Sequence, residues 1–166
     1  MFNVNQIVKK ELNEIKINYA NKAIIYCDGA ISDNVHRENN KGGWCAIIKY
    51  KGEEYIVTGT STSQTNNRME LLPLVKCLPT LIENGIGDIT IISDSRYVLN
   101  GFRCRKSRMK LKKKNKLAND DLWTFIYKLL DEYRPKITAQ WVRGHSGVVD
   151  NERCDKIANS LALSPI

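Results

Sequence analysis

The hydrophobic positions of this 166-residue chain change period several times, and each change marks an element. At the start, Val4, Ile7, Val8, Leu12 and Ile15 fall at helical spacing with Lys9, Lys10, Glu11 and Glu14 between them, which predicts a short amphipathic helix in an N-terminal extension, 1–21, ahead of one domain, 22–166. Residues 23–27 are a continuous apolar run ending at Asp28-Gly29, the pattern of a buried central strand entering a turn. Residues 43–51 and 55–61 predict a hairpin across Lys51-Gly52-Glu53. Thr65 or Asn66 then starts a helix with Met69, Leu72, Val75, Leu78 and Ile82 on one face. Pro73 and Pro79 each remove a backbone donor there, so a kink or an early end is expected. A second buried strand over 87–93 leads into a short helix over 94–100. The stretch 103–116 reads as a loop or ragged helix, followed by a helix from Asn119 or Asp120 to about Tyr133, a strand over 136–142 and a helix over 150–162. Three early antiparallel strands followed by helix-linked crossovers predict an α/β fold, a mixed five-stranded sheet with helices on both faces.

The length allows one domain, and a domain of that size buries roughly 70% of its unfolded surface, so it needs no disulfide or metal to fold. Five scattered cysteines without a C-x-x-C pair predict free thiols in a reducing compartment such as the cytoplasm, and argue against a zinc site or a disulfide framework. No apolar run approaches a membrane span, and residues 1–10 carry no apolar or Arg-rich targeting pattern.

Charge alters the picture. The chain has 26 basic and 18 acidic residues, net +8, but nine of the basic ones and none of the acidic ones lie in 103–116, RCRKSRMKLKKKNK. Outside that segment 17 basic residues face 18 acidic ones, so the whole positive excess lives in one stretch. Nine cations in fourteen residues repel unless an anion is near, and nucleic acid is the commonest polyanion.

The acids have positions of their own. Asp28 follows the first buried strand and Asp94 the fourth, where active sites of open α/β sheets gather. Glu70 lies one turn into the first helix and Asp155 near the start of the last. Taken singly, each has an ordinary explanation: a turn residue, a helix N-cap, or a carboxylate favoured near a helix N-terminus. Taken together, four carboxylates without His or Cys ligands suit magnesium or manganese.

Five blocks in order, Tyr26-Cys-Asp28-Gly29, Thr65-Asn-Asn-Arg-Met-Glu70-Leu71, Ser93-Asp94-Ser95-Arg-Tyr97-Val98, Trp141-Val-Arg-Gly-His145-Ser-Gly147 and Asn151-Glu-Arg-Cys-Asp155, resemble the type 1 ribonuclease H family over about residues 22–162. The resemblance implies a ribonuclease H-like fold and an endonuclease that cuts the RNA strand of an RNA/DNA hybrid, leaving 3′-hydroxyl and 5′-phosphate ends. Asp28, Glu70, Asp94 and Asp155 would hold two Mg²⁺ ions, with Mn²⁺ able to substitute and Asp28 bridging the pair. His145 would assist proton transfer or product release. Asn34, Asn66 and Asn67 match minor-groove contacts, Thr65 and Asn119 a pocket for a DNA phosphate, and Tyr97 an aromatic facing the DNA strand. The basic segment, including Arg105, Lys106, Lys112, Lys113 and Lys114, matches a protrusion that grips DNA phosphates. Arg96 stands where Gln is more usual and adds a cation beside the site. Partners beyond the hybrid are not implied, neither membrane nor obligate protein, and a monomer is expected.

Three departures stand out. A polar stretch, 31–41, replaces the usual Gly/Pro-rich loop after the first Asp, the protrusion lacks tryptophans, and 21 residues are too few for a separate hybrid-binding domain. Integrases, transposases and junction resolvases share the acids without the NNRMEL or GHSG-NERCD blocks. A non-catalytic hybrid-binding module would be expected to have lost an acid. Met1 and the extension favour a free-standing protein over a domain excised from a polyprotein.

Overall fold

A computed structural model describes residues 16–32, 40–62, 65–113 and 118–164, with the backbone alone for 111–113. Five strands, β1 (Asn18–Ile31), β2 (Lys41–Tyr50), β3 (Glu53–Thr62), β4 (Ile86–Ser93) and β5 (Lys136–Trp141), form one sheet in the order β3-β2-β1-β4-β5. The β3-β2-β1 pairings are antiparallel and the β1-β4-β5 pairings parallel, the mixed sheet that the sequence predicts. Five helices accompany it: α1 (Asn66–Glu83), α2 (Arg96–Arg103), α3 (Arg105–Lys113), α4 (Asp120–Tyr133) and α5 (Val149–Leu163). None of the described helices is long and apolar enough to cross a membrane.

The continuous apolar run in β1 has its cause in a sheet covered on both faces. Ala23, Ile25 and Cys27 point into the larger core with Leu71, Leu74 and Leu78 of α1, Val98 and Leu99 of α2, and Trp123 and Ile126 of α4. On the opposite face Ala30, Cys45 and Ile47 pack against Cys154, Ala158 and Ala162 of α5. Small residues let α5 approach: a Cβ on Gly43 would stand 2.4 Å from the Ala158 carbonyl oxygen. The β2–β3 hairpin turns on Lys51 and Gly52, both at positive φ, the conformation that matches the twist of the flanking strands.

Two local expectations are corrected and a third is narrowed. α1 runs unbroken through Pro73 and Pro79. A proline inside a helix costs about 3 kcal/mol. Met69, Leu71, Leu74, Cys77, Leu78, Leu81 and Ile82 are all buried on α1, at roughly 1.5–3 kcal/mol each. Burial outweighs the lost hydrogen bonds. Secondly, α2 is capped by Ser95, whose side chain accepts from the Val98 amide, and not by Asp94. Thirdly, of the loop or ragged helix expected for the basic stretch, the structure shows the helix, α3, over Arg105–Lys113. β1 begins at Asn18, so residues 18–21 of the expected extension belong to the sheet, while the amphipathic stretch 1–15 lies outside the described residues.

Candidate active site

Parallel pairing of β1 with β4, in register at Tyr26 and Ile92, carries Asp28 and Asp94 to adjacent positions two residues further along. Glu70 comes beside them because β1 and α1 nearly touch. A Cβ on Gly29 would lie 2.3 Å from the Met69 carbonyl carbon and 2.5 Å from the Glu70 amide nitrogen, so only glycine fits after Asp28. One carboxylate oxygen from each of Asp28, Glu70 and Asp94 falls within 4.8 Å of the others. Asp155 of α5 joins them on the wall of an open cavity of about 330 Å³, together with Asn66 and Asn159. Asn159 donates to Asp155 Oδ1 at 3.0 Å and to its carbonyl oxygen at 2.9 Å, which fixes the side chain one turn back on the helix.

This cluster is electrostatically costly without a counter-charge. Asp28 is 3% exposed, and its carboxyl is pushed up to about 8, first by burial and then by the charge of Asp94. The Gly29 amide donates to its Oδ1 at 2.8 Å, while the buried Oδ2 has no hydrogen-bond partner. Burial pushes Glu70 up to about 7, opposed by hydrogen bonds from the Ser95 hydroxyl and the Asn66 amide. Asp94 is raised by burial and by Asp155, and lowered in part by His145 and the Asn151 side chain. Hard oxygen donors, mutual repulsion and an orphaned carboxylate oxygen fit a divalent cation, since positive charge there reverses each penalty.

The 142–148 loop closes one side. A Cβ on Gly144 would stand 3.0 Å from Asp94 Oδ2, which brings the following residue, His145, to the acids, exposed and at φ +55°. Few non-glycine residues adopt that left-handed conformation, and those that do are worth a functional reading. Arg96 stacks on Trp141 with its guanidinium carbon 4.2 Å from the ring centroid, and Trp141 Nε1 donates to the Asp94 carbonyl oxygen at 3.0 Å.

The other sequence-predicted residues scatter more widely. Thr65 caps α1 by accepting from the Arg68 amide. Asn66 lines the cavity and donates to Glu70 at 3.4 Å; Asn67 is exposed on the same first turn. Asn119 adopts a left-handed conformation and makes no side-chain cap; its amide donates to Tyr97 and its oxygen accepts from Arg68. Tyr97 is half-buried, its hydroxyl held by Asn119, Trp123 and Arg108, and it donates to the Ala118 carbonyl. Arg105 is tied to α4 by a two-point pair with Asp131, 2.6 and 2.7 Å, and by stacking on Tyr127. Lys106 is exposed on α3. Asn34, Lys114 and the side chains of Lys112 and Lys113 lie outside what is described.

Several supporting residues escape the sequence reading. Ser95 both caps α2 and holds Glu70, and Asn151, 1% exposed, holds Asp94. Arg108, 9% exposed, lies over Trp123 and Tyr97 at 4.5 and 5.1 Å, anchoring α3 to α2 and α4. Ser95 follows Asp94 and Asn151 stands one turn before Asp155, but nothing in the sequence ties them to Glu70 and Asp94, and nothing in a run of cations singles out Arg108.

Comparison with known proteins shows the family of the chain. The profile of the RNase H family matches residues 20–162. A ribonuclease H of Francisella tularensis subsp. novicida (strain U112) is 37% identical over 144 residues, covering 84% of this chain and 90% of the relative. The chain belongs to the ribonuclease H family. Among solved structures, LC9-RNase H1, a type 1 enzyme with the type 2 active-site motif, superposes with a TM-score of 0.70 at 21% identity, over 86% of this chain and 72% of that one. LC11-RNase H1, solved in complex with an RNA/DNA hybrid, gives 0.63 at 18% identity, over 84% and 96%. Both share the ribonuclease H fold described above, and the family makes this chain a ribonuclease H enzyme.

Proposed function

We propose that this family member hydrolyses the RNA strand of RNA/DNA hybrids, as a monomer in a reducing compartment, with two Mg²⁺ ions held by Asp28, Glu70, Asp94 and Asp155. The observation that carries the reading is the meeting of these acids in one cavity, with a buried Asp28 oxygen that has no protein partner. The hybrid bound by LC11-RNase H1 supports the substrate class.

Asp28, Glu70, Asp94 and Asp155 would hold the two cations, whose chemistry would be to lower the pKa of a water and to offset charge on the attacking and leaving oxygens of an in-line displacement. The water oxygen bonds to phosphorus as the P–O3′ bond breaks, so the products end in 5′-phosphate and 3′-hydroxyl. Asp28, the most buried of the four, would contribute to holding both ions. Gly29 and Ser95 hold Asp28 and Glu70 in place before substrate arrives, and Asn151 does the same for Asp94. His145, exposed at the rim and bearing on Asp94, carries a proton between the departing O3′ and solvent. Asn66 and Asn67, at the open end of α1, read 2′-hydroxyls and base edges from the minor groove, a role the family resemblance also gives to Asn34. Thr65 and Asn119 hold a DNA phosphate, and Tyr97 faces the same strand. The lysines of α3 meet the remaining DNA phosphates, while Arg105 serves them by fastening the helix to Asp131.

The decisive assay compares labelled RNA/DNA hybrid, duplex RNA and duplex DNA, with and without Mg²⁺, against an Asp94→Asn variant. The expected outcome is metal-dependent loss of the hybrid's RNA alone, abolished by the substitution. Cleavage of duplex DNA, or full activity of Asp94→Asn, contradicts the proposal.

A further inference from the structure

At the end of the sheet remote from the acids, an apolar groove of about 290 Å³ opens between the β2–β3 hairpin and the C-terminal end of α1, lined chiefly by Ile48, Tyr50, Tyr55, Val57, Leu81 and Ile86. Tyr55 is 51% exposed although its ring belongs to this apolar wall. The chain enters the fold at the same place. The Asn18 amide donates to the Gly85 carbonyl at 2.9 Å, and Lys16 passes so close to Gly85 that a Cβ there would sit 3.3 Å from the Lys16 carbonyl oxygen. Asn84, the neighbour of Gly85, forms the rim of the groove. Ile17 packs against the same core as Tyr50 and Val57, so the chain approaches on the grooved face of the sheet.

The described residues therefore begin, at Lys16, beside an apolar groove, and the fifteen residues before them carry Val4, Ile7, Val8, Leu12 and Ile15 at helical spacing. Fifteen residues make about four helical turns, too short to hold a helix alone in water, so an amphipathic face of that length needs a surface to cover. Glu11 is the one charge on the stripe, and the groove offers it polar partners in Thr80 and Asn84. We propose that residues 1–15 fold as an amphipathic helix into the groove formed by Tyr50, Tyr55, Val57, Leu81 and Ile86, closing the amino-terminal end of the sheet. The groove lies at the start of β1 and the acids at its end, so the docked segment acts on stability and leaves catalysis alone.

The test uses the full chain, with Leu12→Asp, Tyr55→Asp, the two combined, and Lys9→Asp on the polar face. Amide exchange and thermal melting are read for each, with hybrid cleavage alongside. The proposal expects Leu12→Asp to speed exchange in residues 53–57 and 80–86 by about tenfold or more and to lower Tm, as freeing a docked element does. It expects Lys9→Asp to match the parent and the double variant to be no worse than the poorer single one. Cleavage rates at 25 °C stay at the parent level in all four, so the outcome is independent of what the acids do. Parent-like exchange and melting of Leu12→Asp, or strict additivity of the double variant, overturns the proposal. So does a concentration-dependent dimer dissolved by Leu12→Asp, which assigns the face to a second copy.

Discussion

The chemistry begins with Asp28, a carboxylate placed where its charge is least welcome. Its ordinary value of 3.8 rises to about 8 in the folded protein, through burial and the neighbouring Asp94. The sign of the consequence is fixed by that direction. Below pH 4 both folded and unfolded chains carry the proton and the site costs nothing. Between about pH 4 and pH 8 the unfolded chain releases it while the folded chain keeps it, so metal-free stability falls across this window. Glu70, raised to about 7, adds to the fall in the same direction. Replacing Asp28 by Asn should therefore stabilise the metal-free protein at pH 8 by about 2–5 kcal/mol, several degrees in Tm, while abolishing cleavage. Melts in chelator at pH 5 and pH 8 check this: the parent should lose Tm between them and D28N much less. Equal losses would show that Asp28 is not held against its charge.

The elements place these residues, and here the sequence was readable to different depths. The five strands and their antiparallel-then-parallel pattern could be read because apolar runs, turn residues and the Lys51-Gly52 hairpin are local signals, whereas the strand order comes from the structure. Asp28 and Asp94 could be read because they sit at the carboxyl ends of apolar runs, and Glu70 and Asp155 because they lie in motifs carried by the family resemblance. The continuity of α1 through Pro73 and Pro79 could not, since it depends on how much surface the rest of the fold buries. Nor could Ser95 and Asn151, whose partners Glu70 and Asp94 are distant in sequence or across an element boundary. α3 is the clearest case: its lysines announce a polyanion, whereas its attachment runs through Arg108 over the Tyr97 and Trp123 rings and through Arg105 on Asp131 and Tyr127. Desolvated cation–π contacts are worth about 2 kcal/mol or more, so Arg108→Ala should loosen α3, lowering Tm and weakening hybrid binding without changing the cleavage rate at saturation. A variant with parent-like binding and melting would mean that α3 is held by something else.

At the scale of the molecule, charge and chemistry are separated. The acids occupy the carboxyl end of the β1–β4 pair, and the positive excess lies in the sequence segment 103–116, which contains α3. A bound hybrid would therefore meet negative charge at the reacting phosphate and positive charge along the other strand. Changing Lys106, Lys110, Lys112, Lys113 and Lys114 to Gln should flatten the dependence of log K on log salt, by roughly 0.7–0.9 for each lysine that meets a phosphate. Titrations from low to high salt measure that slope, and an unaltered one would remove 103–116 from the interface. The proposed cleavage depends on folding assembling cation seats from Asp28, Glu70, Asp94 and Asp155. Counting bound Mn²⁺ by electron paramagnetic resonance, with a non-cleavable hybrid present, tests it most directly: the parent should hold two ions and D28N should lose both, whereas equal Mn²⁺ binding by the two proteins would contradict the account.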